Sequence, residues 1–291
     1  MSLAYAQLGA AMALVGLNVA VAKLLAQALP VAVLLCLRCL LACAVLAPFV
    51  RLRLPSRAVA GNLAMQAALG TVLYNAALLA GLRRTGALEA GLVLASLPAV
   101  VALGAAALLG ERMSRRGWLA VALAGGGMAA LALARGGGSG GTLAGDALVF
   151  LAVCGEAGYV LLAKRNAARV EVLSAVFWMQ AASAALLAPL AVAGLDGITW
   201  SWPVAGLLAF HSLTASVLAV VLWYRGLRRV GAALAGVFTG LLPLTAGLVA
   251  ITALGEAPTP AHGAGAALML CSILLATWPT RPRAREQARP D

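Results

Sequence analysis

Apolar stretches of roughly 20 residues, each long enough to cross the hydrocarbon core of a bilayer, recur along the whole chain. Ten of them fall near residues 4–24, 31–50, 59–80, 87–109, 117–134, 144–163, 172–193, 204–224, 232–254 and 262–279. The short gaps between them hold prolines, glycines or arginines. Such a chain leaves its backbone few options, because every N–H and C=O inside a bilayer needs an internal partner. The expected fold class is an all-α integral membrane protein with ten transmembrane helices. A soluble bundle is excluded by composition: 63% of the 291 residues are hydrophobic and 10% charged, too few charges to wet ten helix faces. Residues 1–24 lack the basic start of a cleavable signal, so the first segment is expected to stay as an anchor.

The net charge of +12 would suggest nucleic acid in a soluble protein. Here the basic residues sit between apolar runs and set topology instead. With the N-terminus in the cytoplasm, sixteen Lys and Arg fall on the cytoplasmic side, from Arg51 to the tail residue Arg289. Four fall opposite: Lys23, Arg83, Arg84 and Arg135. This asymmetry predicts ten spans with both termini cytoplasmic. Cys36, Cys39 and Cys43 share one helical face, but no His or carboxylate lies near them in sequence, so helix contact outweighs metal binding. No cofactor is implied, and no phosphate-loop signature follows the Gly-rich stretch RGGGSGGT at 135–142.

That stretch reads as a linker between two similar halves. Residues 81–91, GLRRTGALEAG, return at 226–236 as GLRRVGAALAG. At the same spacing of 145, Pro98 meets Pro243, Gly110-Glu111 meets Gly255-Glu256, Gln66 meets His211 and Thr71 meets Ser216. Nearer each start the spacing is 141: Lys23 meets Lys164, and Asn18 meets Tyr159. The expected units are residues 1–134, the linker 135–142, residues 143–280, and a basic cytoplasmic tail, 281–291. Five spans per unit, an odd number, would place the copies upside down relative to each other. Inverted repeats of this kind underlie many secondary transporters. Pro98 and Pro243 are expected to kink or break their helices near the midplane.

GLNVAVAK at 16–23, CLRCLLA at 36–42, the run through Pro98 to GERMS at 110–114, and the second pattern through GLRRVG and Pro243 to GEAPT at 255–259 together resemble the EamA-type ten-helix branch of the drug/metabolite transporter superfamily. The resemblance covers nearly the whole chain and rests on motif order and duplication. It implies a multi-pass carrier of small metabolites in the bacterial inner membrane, often an exporter of amino acids or related compounds.

Polar and ionisable groups inside a membrane are costly and point to function by default. Glu156 lies ten residues after Asp146, about 15 Å along the helix axis. It is expected to bind a substrate ammonium or carry a coupling proton, against the alternative of a carboxylate neutralised by burial or pairing. Tyr159 follows on the same face. Arg38 can hold a substrate carboxylate, pair with Glu156, or snorkel to the interface. Gln66, Tyr74 and Asn75 form a polar stripe on the third segment, and His211 heads another on the eighth. With Asn18, these are the candidate substrate-binding residues, His211 and Glu156 being the candidates for proton coupling. Hydrogen bonding between helices is the competing role for the stripes. Glu111 and Glu256 are expected to cap turns or pair with Arg; Glu89 suits a helix N-terminus.

These residues favour a secondary transporter, not an enzyme, moving a small metabolite by alternating access, outward and proton-linked. Efflux of cationic drugs, or a non-transporting scaffold or sensor, are the rival readings. A small molecule, the bilayer and a proton are the expected partners, with no nucleic acid and no metal.

Overall fold

The computed structural model describes residues 2–51, 53–85, 93–134, 142–254 and 260–278. Most of the expected linker, the basic tail, Glu89 and Glu256 lie outside the described residues. Every described element is helical. In chain order these are α1 (Ser2–Leu25), α2 (Val31–Leu46), α3 (Arg57–Leu82), α4 (Leu97–Leu109), α5 (Arg115–Ala134), α6 (Leu143–Ala167), α7 (Val172–Val192), α8 (Trp202–Leu227), α9 (Ala232–Phe238), α10 (Leu241–Leu254) and α11 (Pro260–Thr277). Among the described residues, six regions are long and apolar enough to cross a membrane: those of α1, α2, α3, α6, α7 and α8.

Small side chains let the helices approach closely, as membrane bundles require where no water drives association. Gly16 of α1 sits against α10 so tightly that a Cβ there would lie 2.6 Å from the Leu242 carbonyl oxygen. α5 runs along α11, where Ser272 Oγ donates to the Ala120 carbonyl (2.6 Å). Cys36, Cys39 and Cys43 of α2 face α7; their thiols lie 3.6–3.7 Å from Ala184 O, Gln180 Oε1 and Phe177 O. Helix contact is the use these cysteines are put to.

Two departures from regular helix recur at the 145-residue spacing. α3 contains a π-helical segment at Ala68–Leu73, and α8 contains one at Ser212–Leu218. Within each segment a backbone carbonyl accepts from a side-chain amide. In α3 the Thr71 carbonyl accepts from Asn75 Nδ2 (2.6 Å); in α8 the Ser216 carbonyl accepts from Gln180 Nε2 (2.7 Å). The second departure is a break. Residues 95–96 form a turn before α4 begins, with Pro98 in its first turn. Residues 239–240 likewise separate α9 from α10, in which position 243 is third. Each proline therefore starts a new helix. It does not bend a continuous one, because a missing N–H costs nothing in a first turn.

The core is lopsided. One large cluster, including Leu8, Leu46, Leu63, Val101, Leu161, Leu227 and Phe238, fills the end of the bundle that carries the N-terminus. Among the described residues, the opposite end has two small clusters, around Val33 and Leu187 and around Leu25 and Leu208.

The large core is bound together by charges at helix ends. Glu111 follows Gly110, whose φ of 67° ends α4 in the left-handed conformation. Its carboxylate accepts from the N–H groups of Ala232 (2.7 Å) and Ala233 (3.2 Å), capping α9. Lys164 Nζ donates to the carbonyls of Leu227 (2.9 Å) and Val230 (2.5 Å), closing the C-terminus of α8. Arg228 does the same for α6, donating to the carbonyls of Ala167 and Val170. Anions at N-termini and cations at C-termini complement the helix dipoles.

Candidate functional site

Above the large core lies a cavity of about 510 Å³, walled by α1, α2, α3, α6, α7 and α8 and by residues flanking the two helix breaks. Small-molecule sites commonly measure about 300–1,000 Å³. Seven of the eight candidate substrate-binding residues meet here: Asn18, Arg38, Tyr74, Asn75, Glu156, Tyr159 and His211.

The floor and one wall depend on a close approach. Gly70, in the π segment of α3, faces Tyr159 of α6; a Cβ at Gly70 would lie 2.9 Å from Tyr159 Cβ and Cγ. Only a residue without a side chain lets the tyrosine ring lie against α3. Asn18 organises the other side. His211 Nδ1 lies 2.8 Å from Asn18 Oδ1, which makes Nδ1 the donor. Asn18 Nδ2 donates to the Leu14 carbonyl (2.8 Å) and to Thr214 Oγ1 (2.9 Å). Held this way, the imidazole has a fixed orientation, with Nε2 left as its second polar atom.

The two charged groups behave differently from the amides. Among the described residues, neither a hydrogen bond nor an ion pair engages the Glu156 carboxylate, and no ion pair joins it to Arg38. Arg38 Nε is buried without a partner; so are Trp223 Nε1 and Ser216 Oγ in the same wall. Buried polar groups are nearly always satisfied, and three of the seven described side-chain atoms that are not stand around this one cavity.

Gln66 departs from expectation. It is absent from the cavity wall and fully buried below it, where Tyr224 OH donates to its Oε1 and its Nε2 donates to Asn62 Oδ1 (2.6 Å). Its amide is consumed in tying α3 to α8. Conversely, Gln180 lines the cavity and had drawn no notice in the sequence. The signal was present: it is a lone amide in the apolar run of α7, the same kind of residue as Gln66. Trp223, whose depth in its apolar run marks it for packing or for lining a path, lines the wall; so do Met179 and Thr239, whose residue types give no warning of it.

Comparison with known proteins agrees with this architecture. A protein described as an uncharacterized transporter, YetK of Bacillus subtilis (strain 168), is 29% identical over 283 residues, covering 94% of this chain and 86% of YetK. A solved crystal structure superposes with a TM-score of 0.81 at 23% identity, covering 94% of this chain and 98% of the other, a likeness of fold. The model of the EamA-like transporter family matches residues 3–133 and again residues 143–278. With nearly the whole length matched, a multi-pass helical bundle and a walled cavity between its helices, this chain belongs to the EamA-like transporter family and is a membrane transporter.

Proposed function

We propose that this transporter is a secondary carrier of small zwitterionic metabolites, amino acids or related compounds, working by alternating access. The observation that carries the reading is the meeting of Arg38 and Glu156 in one cavity without a bond between them. A lone carboxylate would select cations and a lone guanidinium anions. Both signs in about 510 Å³ suit a ligand that brings a carboxylate and an ammonium together. Tyr74, Tyr159 and Trp223 add apolar surface for a side chain. Outward transport coupled to protons belongs to the same reading, with Glu156 and the Asn18-bound His211 as the groups that exchange them.

Two five-span halves in inverted orientation would supply the motion. The recurrence of the π segment and of the helix break at one spacing supports this. So does the lopsided core: one end of the bundle is packed shut while the cavity lies toward the other. With the termini in the cytoplasm of a bacterial cell, the inner membrane would hold the carrier with its cytoplasmic half closed. The position of Gln66 then belongs to this state, and in the opposite state Gln66 would enter the cavity wall as His211 does here.

Counterflow in proteoliposomes tests the reading. Vesicles are loaded with neutral, aromatic or basic amino acids, or with cationic drugs, with and without a pH gradient. Saturable exchange of an amino acid, lost in Glu156→Gln, is the expected result. Exchange of cationic drugs alone would replace it with the efflux reading, which the aromatic residues around Glu156 favour and Arg38 opposes. No exchange of any compound in a wider metabolite screen would leave the scaffold or sensor reading.

A further inference from the structure

A second cavity, of about 440 Å³, opens at the end of the bundle that carries the N-terminus, well away from the central site. It is walled by Gln7 of α1, the first turn of α7 with Glu171 before it, and Arg225, Arg228 and Arg229 at the end of α8. Its chemistry is mixed in sign. Arg228 is held in place by the carbonyls of Ala167 and Val170. Arg225 and Arg229 are exposed, and among the described residues neither engages an ion pair. Glu171, in the same wall, is exposed and likewise without one. Gln7 Oε1 is buried and has no hydrogen-bond donor.

Arginines at the end of a membrane helix commonly serve topology alone. That role requires no cavity, no carboxylate beside the arginines and no orphan amide oxygen. A phosphate would answer the arginines, since guanidinium groups bind phosphate oxygens with paired hydrogen bonds. It would leave the carboxylate repelled and the amide oxygen still unsatisfied. Both of those ask for a cation that also donates hydrogen bonds. We propose that this pocket binds the phosphoethanolamine head group of a membrane lipid, with the phosphate on Arg225 and Arg229 and the ammonium between Glu171 and Gln7 Oε1. The pocket lies where α8 ends, at the level at which lipid head groups meet helix termini. A choline head group carries no N–H to offer Gln7, and a glycerol head group carries no charge to offer Glu171. The site is therefore selective among lipids and independent of what the central cavity carries.

The test uses the full chain, purified in detergent, with lipids of identical acyl chains added in turn and binding read by native mass spectrometry. Phosphatidylethanolamine is expected to bind about tenfold more tightly than phosphatidylcholine or phosphatidylglycerol. Arg225→Gln combined with Arg229→Gln should abolish that preference, and Glu171→Gln should bring phosphatidylethanolamine down to the level of phosphatidylcholine. Should the double variant fail to fold, Glu171→Gln alone decides. Phosphatidylglycerol binding as tightly as phosphatidylethanolamine would overturn the proposal and leave a basic surface patch. A preference unchanged in Glu171→Gln would also overturn it. Soluble glycerophosphoethanolamine separates the two sources of this chemistry: competition at equal affinity would overturn the lipid assignment in favour of a free phosphate ester.

Discussion

α3 and α8 have nearly the same backbone and do different work. Both are 26 residues long, and both widen into a π segment at the same repeat position. In both, a carbonyl within that segment accepts from a side-chain amide. The donors differ: Asn75, from within α3, serves Thr71, while Gln180, from the neighbouring α7, serves Ser216. The residues just ahead of the π segments diverge further. His211 lines the cavity and bonds to Asn18; Gln66 is sealed beneath it and bonds to Tyr224. A duplicated pattern thus reproduces where the backbone bends, while the surroundings decide what each side chain does there. The large apolar core lies on the Gln66 side and the cavity on the His211 side.

The sharpest way to break this comparison is at the carboxylate. The position paired with Glu156 at the 141 spacing is Val15, so among the described residues the second half alone places a carboxylate in the cavity wall. Glu156→Gln is expected to lower exchange by about 100-fold or more, since it removes the cavity's carboxylate charge; Val15→Glu should not restore it. Counterflow rates check both. Retained exchange in Glu156→Gln would move the ligand's ammonium elsewhere.

Next in size is Gly70. Its counterpart at the 145 spacing is already an alanine, Ala215, so a methyl group is acceptable there. At Gly70 the same methyl would collide with Tyr159. Gly70→Ala should destabilise the chain by about 1–3 kcal/mol and weaken substrate exchange, as overpacking does. Thermal unfolding in detergent together with the exchange assay reads both. Unaltered stability would mean Tyr159 moves freely away from α3.

Tyr224→Phe tests the closed end. It would leave Gln66 Oε1 buried without its donor, a loss of about 1–3 kcal/mol. Leu63, 1% exposed in the same core, offers a reporter. A cysteine at position 63 should react faster with a water-soluble maleimide in the Tyr224→Phe background. An equal rate in both backgrounds would show that the tyrosine does not hold that end shut.

The smallest effect is expected at the helix cap. Glu111→Gln keeps an acceptor for Ala232 and Ala233 but removes the charge facing the α9 N-terminus. A change of about 0.3–1 kcal/mol is expected, seen as a small drop in Tm that shrinks further at high salt.

Much of this was legible before any coordinates. Apolar length and scarcity of charge dictate membrane helices, because a bilayer accepts no unpaired backbone. Glu156, Arg38 and Asn18 announce a polar interior for the same reason: such groups survive among alkyl chains only if they face one another or a ligand. The prolines pointed to a kink or a break, and the helices are broken just ahead of them. A sequence shows a proline within an apolar run, whereas the particular residues that turn, 95–96 and 239–240, are read from the backbone.

Composition and hydropathy determined that this chain is a helical membrane protein, and the repeated motifs that it carries a doubled pattern, because those properties follow from solvation and covalent order alone. Which amide lines the cavity and which one locks the floor, Gln180 or Gln66, was decided by tertiary structure. Both are lone glutamines in apolar helices, and only the position of Tyr224 against one and of the Ser216 carbonyl against the other separates them. Those contacts join residues 158 and 36 positions apart, a distance over which local sequence carries no instruction.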